Sequence, residues 1–269
     1  MSIQPALPLL ACPQCQGRFT LQERSLVCPR GHCFDIARQG HVNLLGRAAP
    51  ANADTAQMVA ARERFLGAGH YAPIAQALAR RLGRARRLLE VGAGTGYYLA
   101  QVLDTLPDAA GLATDVSGHA ARRAARAHPR MGSVVADTWA GLPVRAGSVD
   151  AVLCVFAPRN PAEFARVCAP GATVAVITPN AGHLGQAREA LGLLDVETDK
   201  LARLNRTMAG GFEAVWTQRI HWGMELGAED LADLVGMGPN AFHEHGRVGD
   251  GMGVDADVQL SIFRRAAGG

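Results

Sequence analysis

The run Leu88-Leu89-Glu90-Val91-Gly92-Ala93-Gly94-Thr95-Gly96 constrains the fold of this chain more than any other stretch. A short, mostly apolar strand ends in three glycines at alternate positions, and Tyr97–Leu106 then keeps helical spacing. A strand that turns through glycines into a helix belongs in a parallel sheet, because the helix carries the chain back to where the next parallel strand starts. The pattern repeats downstream. Gly111–Thr114, Ser133–Ala136, Val149–Phe156 and Ala172–Ile177 read as strands, with helices from the Ser117 cap to Ala127 and over Pro161–Cys168. The alternation predicts an α/β fold with a mostly parallel sheet covered by helices on both faces. Beyond it the signal thins to a strand over Val215–Trp222, a helix over Ala228–Val235, a loop over Gly246–Gly253 and a strand over Val258–Phe263. Upstream, Asp54 or Thr55 caps a helix reaching Gly67, and a second helix spans Ile74–Leu82.

The N-terminal segment follows another logic. Cys12-x2-Cys15 and Cys28-x3-His32 are separated by twelve residues. Two thiolates two residues apart share one metal through a tight turn, and the second pair closes the tetrahedron. Four protein ligands leave no open position, so the site is read as structural zinc. Cys33 is adjacent and cannot readily join the tetrahedron once His32 does. Residues 8–45 hold too few apolar side chains for a core of their own, so the metal is expected to supply the folding free energy. Gly46–Ala53, rich in Ala, Pro and Asn, reads as a linker. The expected organisation is a zinc-ribbon-like recognition module at 1–45, a helical linker region at 46–83 and a catalytic domain at 84–269.

Composition removes other classes. With 48% hydrophobic and 19% charged residues the chain is globular rather than disordered. No apolar run approaches the roughly 20 residues that span a bilayer. Met1–Leu10 lacks a basic start and a long apolar stretch, so a cytoplasmic protein without a membrane partner is expected. The net charge of +3 is compatible with nucleic acid without being diagnostic. Lys200 is the sole lysine. With so much Ala and Gly, the arginine excess reads as codon usage rather than as an RNA-binding signature.

The glycine loop departs from the dinucleotide fingerprint. Its spacing is Gly-x-Gly-x-Gly, and Glu90 stands just before it. Pyrophosphate needs no carboxylate there, whereas a cationic amino-acid ligand does. Asp115 at the next strand end suits ribose hydroxyls, and Asp137 after the third suits an adenine amino group. Three acidic strand ends in register resemble the class I S-adenosylmethionine (SAM) methyltransferases, with a nucleotide-dependent oxidoreductase as the alternative. Methyl transfer is an in-line displacement, in which the protein mainly positions the partners and helps remove a proton. The run Val155-Phe156-Ala157-Pro158-Arg159-Asn160 lacks the paired prolines of amino-directed base methylases, and Cys154 in an apolar strand reads as core rather than nucleophile.

Larger stretches resemble the RlmA family of 23S rRNA (guanine-N1)-methyltransferases, including its macrolide-resistance members. The matches are the four zinc ligands; Phe34-Asp35-Ile36-Ala37; Gly40-His41-Val42-Asn43-Leu44-Leu45; Ala61-Arg62 with Phe65-Leu66; Gly69-His70-Tyr71-Ala72-Pro73; the glycine loop with Tyr97-Tyr98; Ala157-Pro158; and Thr178-Pro179 with His183-Leu184. Met237-Gly238-Pro239-Asn240-Ala241-Phe242 only echoes the family's pattern.

The resemblance implies SAM-dependent methylation of guanine N1 in hairpin 35 of 23S rRNA, often by a homodimer whose zinc module grips the RNA. It assigns SAM contacts to Tyr71, Gly94, Thr95 and His183, beside Glu90, Gly92, Gly96, Asp115 and Asp137 from the loop reading. The family methylates one of two nucleotides, conventionally 745 and 748. The Arg- and Ala-rich make-up resembles the 748 arm, associated with tylosin- and mycinamicin-type resistance. Guanine N1 must lose a proton, for which His183, His70 or a carbonyl near Ala157-Pro158 are candidates. The base must be looped out, because N1 lies on the pairing edge. Arg159, Arg62 and Arg64 are candidate phosphate or stacking contacts. A small-molecule methyltransferase and a non-catalytic RNA-binding relative are the rivals. The modular reading expects Cys12→Ala to weaken RNA binding while sparing SAM affinity.

Overall fold

The computed structural model describes residues 3–194, 200–238, 241 and 249–266. A 3-10 turn over Gln4–Leu9 leads into a small antiparallel sheet of β1 (Thr20–Gln22), β2 (Ser25–Val27) and β3 (Cys33–Asp35), followed by β4 (Val42–Asn43). Helices α1 (Ala56–Gly67) and α2 (Ala72–Arg81) precede the alternating region: β5 (Arg87–Val91), α3 (Tyr97–Thr105), β6 (Ala110–Asp115), α4 (Gly118–Ala124), β7 (Met131–Val135), β8 (Val149–Val155), α5 (Pro161–Val167) and β9 (Cys168–Pro179). The remainder is α6 (Gly185–Leu191), α7 (Lys200–Met208), β10 (Phe212–Gly227), α8 (Ala228–Gly236) and β11 (Gly251–Arg265).

Among the described residues the main sheet runs β10-β11-β9-β8-β5-β6-β7-β4. Its strands from β9 to β4 are parallel, and the β10–β11 pair, joined through α8, adds two antiparallel strands at the far edge. The centre is apolar on both faces: Leu88, Leu89 and Val91 of β5 and Ala151 to Cys154 of β8 are fully buried. Such continuous burial is what a parallel sheet covered on two sides requires. The caps expected for α1 and α4 are present, and α5 has a further one that the sequence reading did not name. Thr55 accepts from Met58 N at the start of α1, Ser117 from Ala120 N at α4, and Asn160 from Glu163 N at α5, where Pro161 sits in the first turn. The chain leaves β5 in one direction through α3 to β6, whereas β8 lies on its other side, so a crevice opens at the C-terminal ends of β5 and β8. The glycine loop lies there.

Three features depart from the expectations. Gly251–Gly253, expected in a loop, begin β11, because Gly251, Met252 and Gly253 continue the antiparallel register opposite Gly227, Leu226 and Glu225. Cross-strand pairing overrides the weak strand propensity of glycine. The rest of that stretch up to residue 248, and Pro239, Asn240 and Phe242 of the weak C-terminal match, lie outside the described residues. Helices α6 and α7 have no counterpart in the sequence reading. Finally, Val42 and Asn43 pair in parallel with Val134 and Val135, and Leu44 N donates to Val135 O.

The zinc segment therefore shares its core with the sheet. Ile3, Leu10, Cys12, Phe19, Leu26, Cys28 and Val42 bury in one cluster with Leu89, Val91, Leu112, Val134 and Val152. The N-terminal turn packs on β7 so closely that a Cβ on Gly132 would lie 2.6 Å from Ala6 Cβ and 2.9 Å from Ile3 Cδ1. Gly132→Ala is accordingly expected to cost about 1–3 kcal/mol, read as a melting point lowered by about 2–10 °C. An unchanged melting curve would mean that the turn does not sit on the sheet.

Candidate metal centre and cofactor cleft

Two tight turns build the metal centre. Gln16 N donates to Cys12 O, with Gln16 in the left-handed region at φ 57°, and Gly31 N donates to Cys28 O with Gly31 at φ 80°. His32 Nδ1 then lies 3.4 Å from Cys12 Sγ and 3.3 Å from Cys28 Sγ, and Cys15 Sγ lies 3.5 Å from Cys28 Sγ. All four ligand atoms fall within 4.8 Å of one another. A tetrahedron built on Zn–S bonds of about 2.3 Å has edges of about 3.5–3.8 Å, so the set fits a zinc ion closed by protein. Cys33 is exposed on β3 and outside the set.

In the glycine loop, Gly92, Gly94 and Gly96 have φ of 60°, 55° and 76°, a region that side chains rarely adopt. A Cβ on Gly92 would meet Ala157 Cβ at 2.6 Å, and one on Gly96 would meet Met131 Cε at 2.8 Å. Thr95 is buried between them. Glu90 is 1% exposed, and its Oε2 accepts from Leu99 N in the first turn of α3. Burial above all pushes its pKa up to about 8; the Leu99 N–H pulls it down and Asp115 adds to the rise.

Asp115 accepts from Gly94 N and Ser117 N, each at 2.8 Å. Burial raises its pKa, these two N–H groups lower it, and Asp54 raises it further. Asp54 pairs with Arg62, whose guanidinium also donates to Met237 O, and the Arg62 side chain closes over Gly94. Glu90, Asp115 and Asp54 thus place three carboxylates around one glycine loop. That donor set fits a cationic, ribose-bearing ligand and repels a pyrophosphate. Asp137 accepts from Trp139 N and pairs with Arg47, so residues 47–54 border the cleft at both ends.

Tyr71, His183 and Phe156 meet on the other side of the loop. His183 Nδ1 accepts from Asp257 N at 3.1 Å, which leaves the ring proton of the neutral imidazole on Nε2, 3.3 Å from Tyr71 Oη. The ring of Phe156 stacks on His183 at 5.8 Å, and those of Trp222 and Phe65 meet Tyr71 edge-on. Burial raises the Tyr71 pKa, so its hydroxyl stays protonated. His70 belongs to a different contact: its ring packs on Phe65 and its Nε2 lies 3.0 Å from Asp230. Of the arginine candidates, Arg64 is held by both carboxylate oxygens of Asp233, and Arg62 as described. Cys154 is wholly buried, with its pKa pushed up to about 12 chiefly by burial, as a core thiol requires.

The sequence pattern marks no binding role for Asp54, a candidate cap, or for Phe156, the last residue of the expected strand Val149–Phe156. It also passes over Trp139, which is 64% exposed beside Asp137. The ring of Trp139 is expected to report ligand entry: SAM binding should change its fluorescence, and the change should vanish in Trp139→Phe while the affinity stays. A persisting signal would assign it to Trp216 or Trp222.

Comparison with known proteins follows the same two parts. Residues 10–49 match the model for the N-terminal zinc ribbon of RlmA, and residues 88–171 match a methyltransferase domain. The 23S rRNA (guanine(748)-N(1))-methyltransferase of Streptomyces fradiae is 46% identical over 244 residues, covering 87% of this chain and 86% of that protein. A Micromonospora griseorubida protein bearing a 23S rRNA (guanine-N(1)-)-methyltransferase name is 46% identical over 259 residues, 88% of each chain. A chain in the complex of the Haloferax volcanii Trm112 methyltransferase activator with its methyltransferase superposes with a TM-score of 0.53 at 17% identity, covering 81% of this chain and all of that one. That last likeness concerns the fold alone.

Proposed function

Because the chain belongs to the family of 23S rRNA (guanine-N1)-methyltransferases, with SAM and a structural zinc ion as its cofactors, we propose that it methylates guanine 748 in hairpin 35. The observation that carries the reading is the 46% identity with the Streptomyces fradiae enzyme over 87% of this chain. Working in the cytoplasm as a homodimer and protecting ribosomes against tylosin- and mycinamicin-type macrolides belong to the same proposal. Among the described residues no helix is long and apolar enough to cross a membrane.

Bound SAM would supply a methyl group already activated on a cationic sulfur. Glu90 and Tyr71 would hold its amino-acid end, Gly92, Gly94, Thr95 and Gly96 would admit it against backbone, and Asp115 and Asp137 would take the ribose and adenine. His183 closes the pocket by holding Tyr71. With its Nε2 proton donated to Tyr71 Oη, His183 serves as a positioning residue. His70, turned to Asp230, stands further from this role. The guanine would be held with N1 in line with the methyl; as the N1–carbon bond forms, the sulfur–methyl bond breaks to leave the neutral thioether S-adenosylhomocysteine, and the N1 proton passes to solvent.

Incubation with labelled SAM and a hairpin 35 transcript tests this reading. Label should enter the RNA and should disappear when guanine 748 is replaced by adenosine. Label that persists in that variant transcript, or that enters a small molecule instead, would overturn it.

A further inference from the structure

Phe156 combines a strained backbone with an exposed aromatic ring. It follows the last residue of β8 at the open end of the sheet, and its backbone has φ 53°. A bulky side chain in the left-handed region costs on the order of 1 kcal/mol or more and persists only where its surroundings impose it. Leu184, next to His183 in the turn between β9 and α6, is also left-handed at φ 57°.

The conformation does not bury the ring. Phe156 is 41% exposed, although the residues on either side of it are buried. One face lies against His183, with centroids 5.8 Å apart and planes 29° apart, and the ring is tilted by 50° to that of Tyr71, with centroids 6.1 Å apart. His183 is itself fixed by Asp257 N and Tyr71 Oη, so the ring rests on a rigid backing. The position is next to the chemistry. Ala157, the following residue, is the side chain that Gly92 must lack a Cβ to accommodate.

A flat apolar face, held rigid and open beside a methyl-donor cleft, fits an unstacked nucleobase. Every base has a π-face, and enzymes that act on a base hold it out of the stack against such rings. We propose that Phe156 is the platform on which the target purine stacks after leaving the RNA. The inference rests on the RNA methyltransferase reading and extends it to the residue that receives the base.

The test compares Phe156→Ala, Phe156→Gly and Phe156→Trp with the wild type, using the full-length protein, SAM and the hairpin transcript. Phe156→Ala should lower kcat/KM for the RNA by about tenfold to a hundredfold, the range of one base–aromatic stack, while the SAM Kd changes by less than about twofold. Phe156→Trp should keep most of the activity. Phe156→Gly should be as inactive as Phe156→Ala yet melt no lower, since glycine accepts the positive φ without strain. The direct readout is 2-aminopurine at the target position: its emission should be quenched in the wild-type complex and brighter with Phe156→Ala. Equal quenching in both, wild-type activity in Phe156→Ala, or a parallel loss of SAM binding would overturn the platform. A wild-type protein that binds SAM but leaves the transcript unmethylated would instead overturn the RNA reading, and the platform with it.

Discussion

Cys12→Ser, or removal of zinc by a chelator, is expected to destabilise the whole protein rather than to release a floppy N-terminal tail. Structural zinc contributes on the order of 10 kcal/mol of apparent folding free energy in small domains, and here the metal-held turns are part of a larger core. Cys12, Phe19, Leu26 and Cys28 bury against the same cluster as Leu89, Leu112 and Val152. The segment continues into Val42 and Asn43, which pair with β7 at the edge of the main sheet. Asp137 follows β7, and Arg47 reaches it from the same stretch of chain. RNA methylation should therefore vanish, the melting point should fall by 10 °C or more as an order of magnitude, and SAM affinity should also drop by about threefold to tenfold. The purely modular reading predicts unchanged SAM affinity. Calorimetry and SAM titration of the metal-free protein distinguish the two, and an unshifted main transition with unchanged SAM affinity would favour the modular reading and contradict the shared core.

Glu90→Gln is expected to make the ligand-free protein more stable at pH 8 and to remove most of its SAM binding. Glu90 is fully buried with its pKa near 8, against about 4.5 for an exposed glutamate. Its surroundings are the Leu99 N–H, the carboxyl of Asp115 and the phenol of Tyr98, none of them cationic. Between these two values the unfolded chain releases the proton and the folded one keeps it. Stability is therefore fully present below about pH 4.5 and is lost as the pH rises through 8, by about 3–5 kcal/mol in all. Glutamine is neutral at every pH and removes that slope. A cationic ligand reverses the preference, since it draws Glu90 into the charged form and releases a proton. SAM should bind the wild type with proton release near pH 7 and should bind Glu90→Gln at least tenfold more weakly. Calorimetric titration in buffers of different ionisation enthalpy counts that proton. Equal affinity in the variant would show that Glu90 serves only to cap α3 through Leu99 N.

The parts legible in the sequence are those fixed by local chemistry. The ligand spacing of Cys12, Cys15, Cys28 and His32, the three glycines and the caps at Thr55 and Ser117 each act over a few residues, so their meaning survives without the fold. The β10–β11 pair was only half visible. It alternates weakly because most of β10 is exposed, and Gly251 and Gly253 disguise the start of its partner. The merging of the zinc segment with the sheet depends on contacts between Ala6 and Gly132 and between Val42 and Val134, which no local pattern encodes. The same holds for the cleft. Asp54 gains its meaning from Arg62 and Asp115, and Phe156 from a backbone angle and from His183, far along the chain. Glu90, Asp115 and Asp137 could be picked out as strand-end acids, but their hydrogen-bond partners could not.

Reverse transcription across hairpin 35 tests the central claim most directly. A methyl on guanine N1 occupies the pairing edge, so the copying enzyme halts one nucleotide short of it. After incubation of the RNA with this protein and SAM, a single new stop next to guanine 748 is expected, absent without SAM. A stop next to nucleotide 745, or full read-through of RNA that carries labelled methyl elsewhere, would contradict the account.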